Sequence, residues 1–499
     1  MSIIKRNNFS FTDVVSLIES PDKIYLSDAA KSKVLKSCNL VKKLSNEKEA
    51  IYGINTGFGP LCTKKISVGE IELLQENLLL SHAVGVGEPI DPFISKIMLL
   101  CKIISLSKGY SGIRLEIIER LIYFLQNDLT PVVPKQGSVG ASGDLAPLSH
   151  LFLPLIGMGY FWKKKEKVPA DLILKEHKLE AFKLQAKEGL ALINGTQFIL
   201  AHAIQGLSKL NYIFDLADLA AAMTLEGFQG SIAPFKKELH DLRPYNGTRK
   251  VADRMLMLLK NSENTKSHIN CERVQDPYSI RCIPQVHGAS RNALNHLKEL
   301  VQIEINSVTD NPIILEDGSA ISGGNFHGQP LALAIDYLTV AASEIGNISD
   351  RRIYLLLEGL HGLPAMLCEK PGLNSGLMVT QYTTAALVSE NKSMCFPVSS
   401  DSIPTGMGQE DHVSMGSISG RKLLQVINNI EKIIALELLN ASQALEFRRP
   451  NNFSPMIESN LSLIRKHVKK LESDRLLNHD IEKMIELVKN KLIKVNLDL

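Results

Sequence analysis

The stretch that decides the fold is Leu423–Leu445, LLQVINNIEKIIALELLNASQAL. Its apolar residues Leu423, Ile427, Ile430, Ile434, Leu438, Ala441 and Leu445 recur in steps of three and four, the stripe of an amphipathic helix. Extended over 419–446, that helix has about eight turns. The same style surrounds it. Leu294, Leu297, Val301 and Ile305 form a second stripe, closed at Thr309-Asp310-Asn311-Pro312, where proline ends a helix. Residues 331–358 read as another long helix. Ile481, Met484, Ile485, Val488, Leu492 and Val495 mark a terminal one rich in Lys and Glu. Strand signals are few and fall mainly at 155–185. The pattern predicts a mainly α protein: a long central helical bundle with a smaller, loop-rich N-terminal region. Several stripes are too broad for one bundle surface, so self-association is expected.

Composition narrows the classes. The 499 residues are 44% hydrophobic and 22% charged, with a net charge of +3. That is globular composition, and near-neutral charge argues against nucleic-acid or membrane-surface binding. The densest basic run, Lys163-Lys164-Lys165, reads as a solvated turn between short strands. Seven cysteines (38, 62, 101, 271, 282, 368 and 395) are scattered with no CxxC pair, so neither a disulfide framework nor a zinc knuckle fits. The opening MSIIKRNNFSFTD lacks an apolar signal core, and no apolar run reaches membrane-spanning length. A reduced, cytoplasmic protein is expected.

The reactive candidate is Gly137–Asp144, GSVGASGD. A phosphate loop needs GxxxxGK[ST], whereas here an acidic residue follows the last glycine. Glycines spaced by three are not GxGxxG, and no strand-then-helix unit surrounds them. Composition alone suggests a plain turn. The chemistry of Ala141-Ser142-Gly143 suggests something sharper. Attack of the Gly143 nitrogen on the Ala141 carbonyl would close a five-membered ring, which needs a bend that only small residues permit. Loss of water from the ring and of the Ser142 hydroxyl would leave an exocyclic methylidene, an electrophile that ordinary side chains lack.

GSVGASGDLAPLSH resembles the signature of the aromatic amino acid ammonia-lyase family. Further motifs follow in the family's order, so that the likeness covers one continuous domain of about residues 10–480. The resemblance implies a 4-methylidene-imidazol-5-one (MIO) group made autocatalytically from Ala141, Ser142 and Gly143, and no external cofactor or metal. It implies an N-terminal region, 1–195, that carries the lid and MIO loops, a bundle at 196–450 and C-terminal helices at 451–499. It also implies a homotetramer whose active sites are composite.

An ammonia-lyase must capture a poor leaving group, take a weakly acidic β-hydrogen and hold a carboxylate. Tyr52, in the glycine-bearing loop YGINTGFGP, matches the family's base. A phenol titrates near about 10, so positive charge is expected nearby to lower its pKa. QDPYSIRC holds Gln275, Tyr278 and Arg281 at spacings of three, one face if the segment turns helically. Arg281 has the planar fork for a carboxylate. The resemblance assigns it that role, with Gln275 and Tyr278 beside the electrophile. Asn194 in NGTQ reads locally as a turn; the family makes it a ligand-binding amide. Phe326 in GGNFHG is expected to pack in the core and, by the resemblance, to wall the aromatic pocket.

Two positions speak to the ring. Ser81-His82 falls where the family selects it, and His82 resembles the histidine-acting branch, a pair that some bacterial tyrosine lyases share. Glu410 in GQEDHVSMG stands where phenylalanine and tyrosine enzymes carry Asn-Gln-Asp. A carboxylate meets an imidazole N–H with a charge-assisted bond but is unpaired beside phenyl. Glu410-Asp411-His412 is not a metal site, since consecutive residues do not share a helical face and HExxH is absent. The expected reaction is conversion of L-histidine to trans-urocanate and ammonia, the opening step of histidine breakdown. The alternative is a tyrosine or phenylalanine ammonia-lyase or aminomutase of the same family. A cofactor-free lyase of the fumarase kind is disfavoured, as GSSxMPxKxN is missing. GFGPLC and Phe198 depart from the commoner family forms.

Overall fold

The 423–445 stripe is helical as expected. In the computed structural model, which describes residues 8–47, 49–268 and 274–497, it lies within helix Gly416–Glu446. All seven stripe residues are buried. Three other long helices accompany it: Gln197–Phe228, Ile283–Ile305 and Gln329–Leu357. The first of these has no stripe to read. Five consecutive residues, Leu219, Ala220, Ala221, Ala222 and Met223, are all buried, so over this stretch the helix is apolar on every side.

Two helix ends differ from the sequence expectation. Ile283–Ile305 stops well before Pro312. Asn306 turns the chain away by binding elsewhere: its Nδ2 donates to Phe9 O at 2.9 Å and its Oδ1 accepts from Phe9 N at 2.8 Å. The terminal helix is Asn478–Lys489, leaving Leu492 and Val495 beyond it.

Among the described residues, the strands form three small antiparallel sheets. Tyr160–Lys163 pairs with Glu166–Pro169 around a turn in which Lys164 has φ +59°, so the lysine run is the solvated turn expected of it. Val86–Pro89 pairs with Pro134–Gln136, which leads into the glycine loop.

The chain divides into two compact units that alternate along the sequence. The first holds residues up to Ser208, Leu297–Asp336 and Pro397–Arg421. The second holds Lys209–His296, Tyr337–Phe396 and the chain from Lys422 onward. The boundary falls within each of the four long helices.

Helix Gln329–Leu357 is, contrary to the sequence expectation, long and apolar enough to cross a membrane. Yet 67% of its most apolar window is buried inside the protein, so its apolarity serves packing. Six cysteines, 38, 62, 101, 282, 368 and 395, are free thiols; Cys271 lies outside the described residues.

Candidate active site

The glycine loop runs from strand Pro134–Gln136 to helix Leu145–Phe152. Ser142 has φ +47° and Gly143 φ +77°. A non-glycine residue in this left-handed region costs about 1–3 kcal/mol, and such strain gathers at functional sites. Gly143 lies in a parallel bridge with Gly195, and Asp144 N donates to Gly195 O at 2.8 Å. A Cβ on Gly143 would stand 2.1 Å from Gly195 O, so only glycine fits. From the other side Met415 N donates to Val139 O at 2.9 Å and Ser417 Oγ to Ser138 O at 2.6 Å.

The support beneath this loop was not read from the sequence. Asp144 is buried, and its Oδ2 accepts from Phe198 N and Ile199 N, both at 3.0 Å. It thereby caps the first turn of helix Gln197–Phe228. Burial pushes its pKa up to about 7, although the two amides and Lys102 oppose the rise. Lys102 donates to Asn194 O at 2.6 Å and Ala191 O at 3.2 Å, at the C-terminus of helix Glu188–Ile193. Burial lowers its pKa to about 7. A lone lysine inside the apolar run IMLLCKIISL, 97–106, was the available signal. Beside them Lys187 Nζ meets Asp310 Oδ2 at 2.6 Å, both fully buried.

Asn194 sits in the turn that this support holds. It is buried, and its Oδ1 has no hydrogen-bond partner among the described residues. An orphaned buried amide oxygen is costly and calls for an explanation such as a ligand.

Glu410 reaches the loop from a different segment: Ser142 Oγ donates to its Oε1 at 3.2 Å. Thr405 Oγ1 donates to its Oε2 at 2.7 Å. Tyr52 and His82 are both half-buried, and both feel the charge of Glu410. Burial raises the Tyr52 phenol above its ordinary value, with Glu410 adding to the rise and a hydrogen bond with the Gly59 backbone opposing it. The expected cation-driven lowering of Tyr52 is therefore reversed in this environment. Burial lowers His82, whose Nδ1 lies 3.0 Å from Ser81 Oγ. Phe326 is half-buried in a turn after strand Ala320–Ile321, and its neighbour His327 stacks on His412 with centroids 5.8 Å apart.

These residues all belong to the first unit; Gln275, Tyr278 and Arg281 belong to the second. There, Tyr278–Arg281 forms a single helical turn with the guanidinium 4.5 Å from the Tyr278 ring. Gln275 precedes the turn and is exposed, so the expected single face holds for two residues rather than three. Tyr278 is 71% exposed.

The family model for aromatic amino acid lyases matches residues 9–466. The chain belongs to the aromatic amino acid lyase family. This lyase is 46% identical to the histidine ammonia-lyase of Symbiobacterium thermophilum, over 97% of its own length and 96% of the relative's. It is 43% identical to that of Bacillus subtilis, over 98% and 97%. Among solved structures, histidine ammonia-lyase from Trypanosoma cruzi superposes with a TM-score of 0.89 at 40% identity, covering 97% of this chain and 92% of that one. Tyrosine aminomutase from Streptomyces globisporus gives 0.93 at 32% identity, covering 99% and 97%. The loop of this family member fits a group made by cyclisation. Its Ser142 and Gly143 are already bent, and the Gly143 cradle has no room for a Cβ.

Proposed function

We propose that this chain removes ammonia from L-histidine without oxidation, giving trans-urocanate, at an MIO group formed from Ala141, Ser142 and Gly143. The observation that carries the reading is the 3.2 Å contact between Ser142 Oγ and Glu410 Oε1. It puts a carboxylate, the partner an imidazole N–H favours, directly beside the reactive residue. The histidine ammonia-lyase relatives support the same substrate. In forming the group, Gly143 N bonds to the Ala141 carbonyl carbon and two waters leave, one with the Ala141 oxygen and one with the Ser142 hydroxyl. Once formed, the group supplies an electrophile that makes the substrate's α-amine a better leaving group.

The chain's own residues then divide the work. Glu410 accepts from the imidazole ring and Phe326 walls it, while His82 helps to select it. Arg281 clamps the carboxylate as a planar fork, and the Asn194 amide takes a ligand dipole. Gln275 and Tyr278 take the roles that the family resemblance gives them towards the electrophile. Tyr52 takes the β-proton. Its raised pKa makes the phenolate a strong base but a scarce one at neutral pH, so turnover climbs on the alkaline side.

The working form is a homotetramer with sites lined by several copies. Support comes from Leu333, Tyr337 and Val340, which leave an apolar strip of helix Gln329–Leu357 exposed in the single chain. The test is a panel of aromatic amino acids with purified protein, read by the unsaturated acid released. Histidine should be preferred, and a peptide spanning 135–150 should be lighter by two waters. A preference for tyrosine, or an unmodified peptide in active protein, defeats the reading.

A further inference from the structure

We infer that Thr405 is a positioning residue for ring selection: its hydroxyl holds one oxygen of Glu410 and so presents the other to the ligand. The inference rests on the reading of Glu410 as the imidazole's partner.

The two carboxylate oxygens have different donors. Oε2 accepts from Thr405 Oγ1 at 2.7 Å, and Oε1 accepts from Ser142 Oγ at 3.2 Å. The first contact is built into the backbone. Thr405 N donates to Glu410 O at 3.0 Å and Glu410 N to Thr405 O at 3.4 Å, pairing the two residues across a tight turn. Within the turn Gly408 N donates to Thr405 O at 3.0 Å and Gln409 N to Gly406 O at 3.1 Å. Gly406, Met407 and Gly408 have φ of +55°, +54° and +84°, so three consecutive residues hold the left-handed region. A Cβ on Gly406 would lie 3.3 Å from Oε2, so a side chain at 406 would crowd the carboxylate that Thr405 holds.

The second contact is temporary. Dehydration of the loop discards the Ser142 hydroxyl, and with it the donor to Oε1. Thr405 remains. The matured protein therefore has one satisfied oxygen and one unmet acceptor, and the unmet one faces the loop. A ring N–H replaces the lost donor; a phenyl ring leaves Oε1 unpaired. Without the Thr405 hydroxyl both oxygens are open, the carboxylate turns freely, and part of the gain on binding goes to ordering it.

The experiment compares full-length, assembled wild type with Thr405→Val, Thr405→Ala and Thr405→Ser. It measures kcat/KM for histidine, tyrosine and phenylalanine. It also measures the Kd for L-histidine by calorimetry in a Ser142→Ala background, with and without Thr405→Val. Hydrogen bonds to charged groups predict that Val and Ala lower histidine kcat/KM by about 10- to 100-fold. Tyrosine should change little, so the histidine-to-tyrosine ratio falls. Thr405→Ser should restore the ratio, and Kd should weaken without any turnover. If wild type prefers histidine and either folded hydroxyl-less variant keeps that preference, Thr405 does not position Glu410. If wild type prefers tyrosine, the underlying reading of Glu410 fails instead.

Discussion

Two buried clusters, one in each unit, handle charge differently. Beneath the glycine loop of the first, Lys102 and Asp144 are drawn by burial from opposite ends of the scale to about 7. Neither has a dedicated partner of opposite charge at salt-bridge distance among the described residues. In the second unit, Asp218 accepts from Arg254 Nε at 2.8 Å, from His287 Nδ1 at 2.7 Å and from Arg291. Burial alone would raise Asp218, but Arg291, His287 and Arg254 hold it well below the ordinary carboxylate range. Glu437 is closed in the same way, by Arg352 at 2.5 and 2.9 Å, Thr224 at 2.9 Å and Ser349 at 2.5 Å. A closed network keeps its charges and fixes packing. A loosely paired cluster leaves groups poised near neutrality, and that cluster lies under the reactive loop.

The largest expected effect separates the two regions by function. Ser142→Ala should cut turnover on the order of 10³-fold or more while leaving thermal stability nearly unchanged. A comparable loss from a second-unit network variant that remains folded would break the comparison. Next, Tyr52→Phe should lower kcat by about 10²-fold or more. Because burial raises Tyr52, its basic form appears only as pH climbs through that raised value, so wild-type kcat should rise into the alkaline range. The variant should lose that limb; an unchanged profile would reject Tyr52 as the base.

A third experiment exchanges the roles. Arg352→Met leaves Glu437 buried without its cation and should cost about 3–5 kcal/mol of stability, seen in denaturant midpoints. Activity per folded molecule should persist. The smallest effect belongs to Lys102→Met, which strands two carbonyls at about 1–3 kcal/mol. Its sign with pH is the sharper test. Lys102 has a folded pKa of about 7 against an ordinary 10.5, so the unfolded chain holds its proton more tightly between those values. The stability of wild type relative to Lys102→Met should therefore grow as pH rises from 7 towards 10.5. A flat difference would mean that Lys102 is paired after all.

Helix Gly416–Glu446 was legible because its apolar residues form a stripe, whereas Gln197–Phe228 was not, because apolar residues surround it. The small residues of the glycine loop permit a cyclisation, and the resemblance to the lyase signature is what favoured it over a plain turn. The loop's underpinnings were not legible: Asp144 finds the amides of residues 198 and 199, and Lys102 finds carbonyls at 191 and 194. Such pairings depend on where distant segments meet, which no local pattern encodes. The same holds for Tyr52. Its chemistry is visible in the sequence, but the direction of its pKa depends on burial and on Glu410.

The close approach of Gly143 to Gly195 has a consequence for anyone wishing to move this chemistry into another protein. The octapeptide 137–144 is not a portable unit. Its bend is braced by the Gly195 carbonyl, capped into the helix that begins at Gln197, and held on its far side by Met415 and Ser417. The smallest graft that carries the geometry is three segments from separate parts of the chain, with glycine kept at both 143 and 195. A recipient scaffold must offer all three attachment points before any new electrophile can be expected to form.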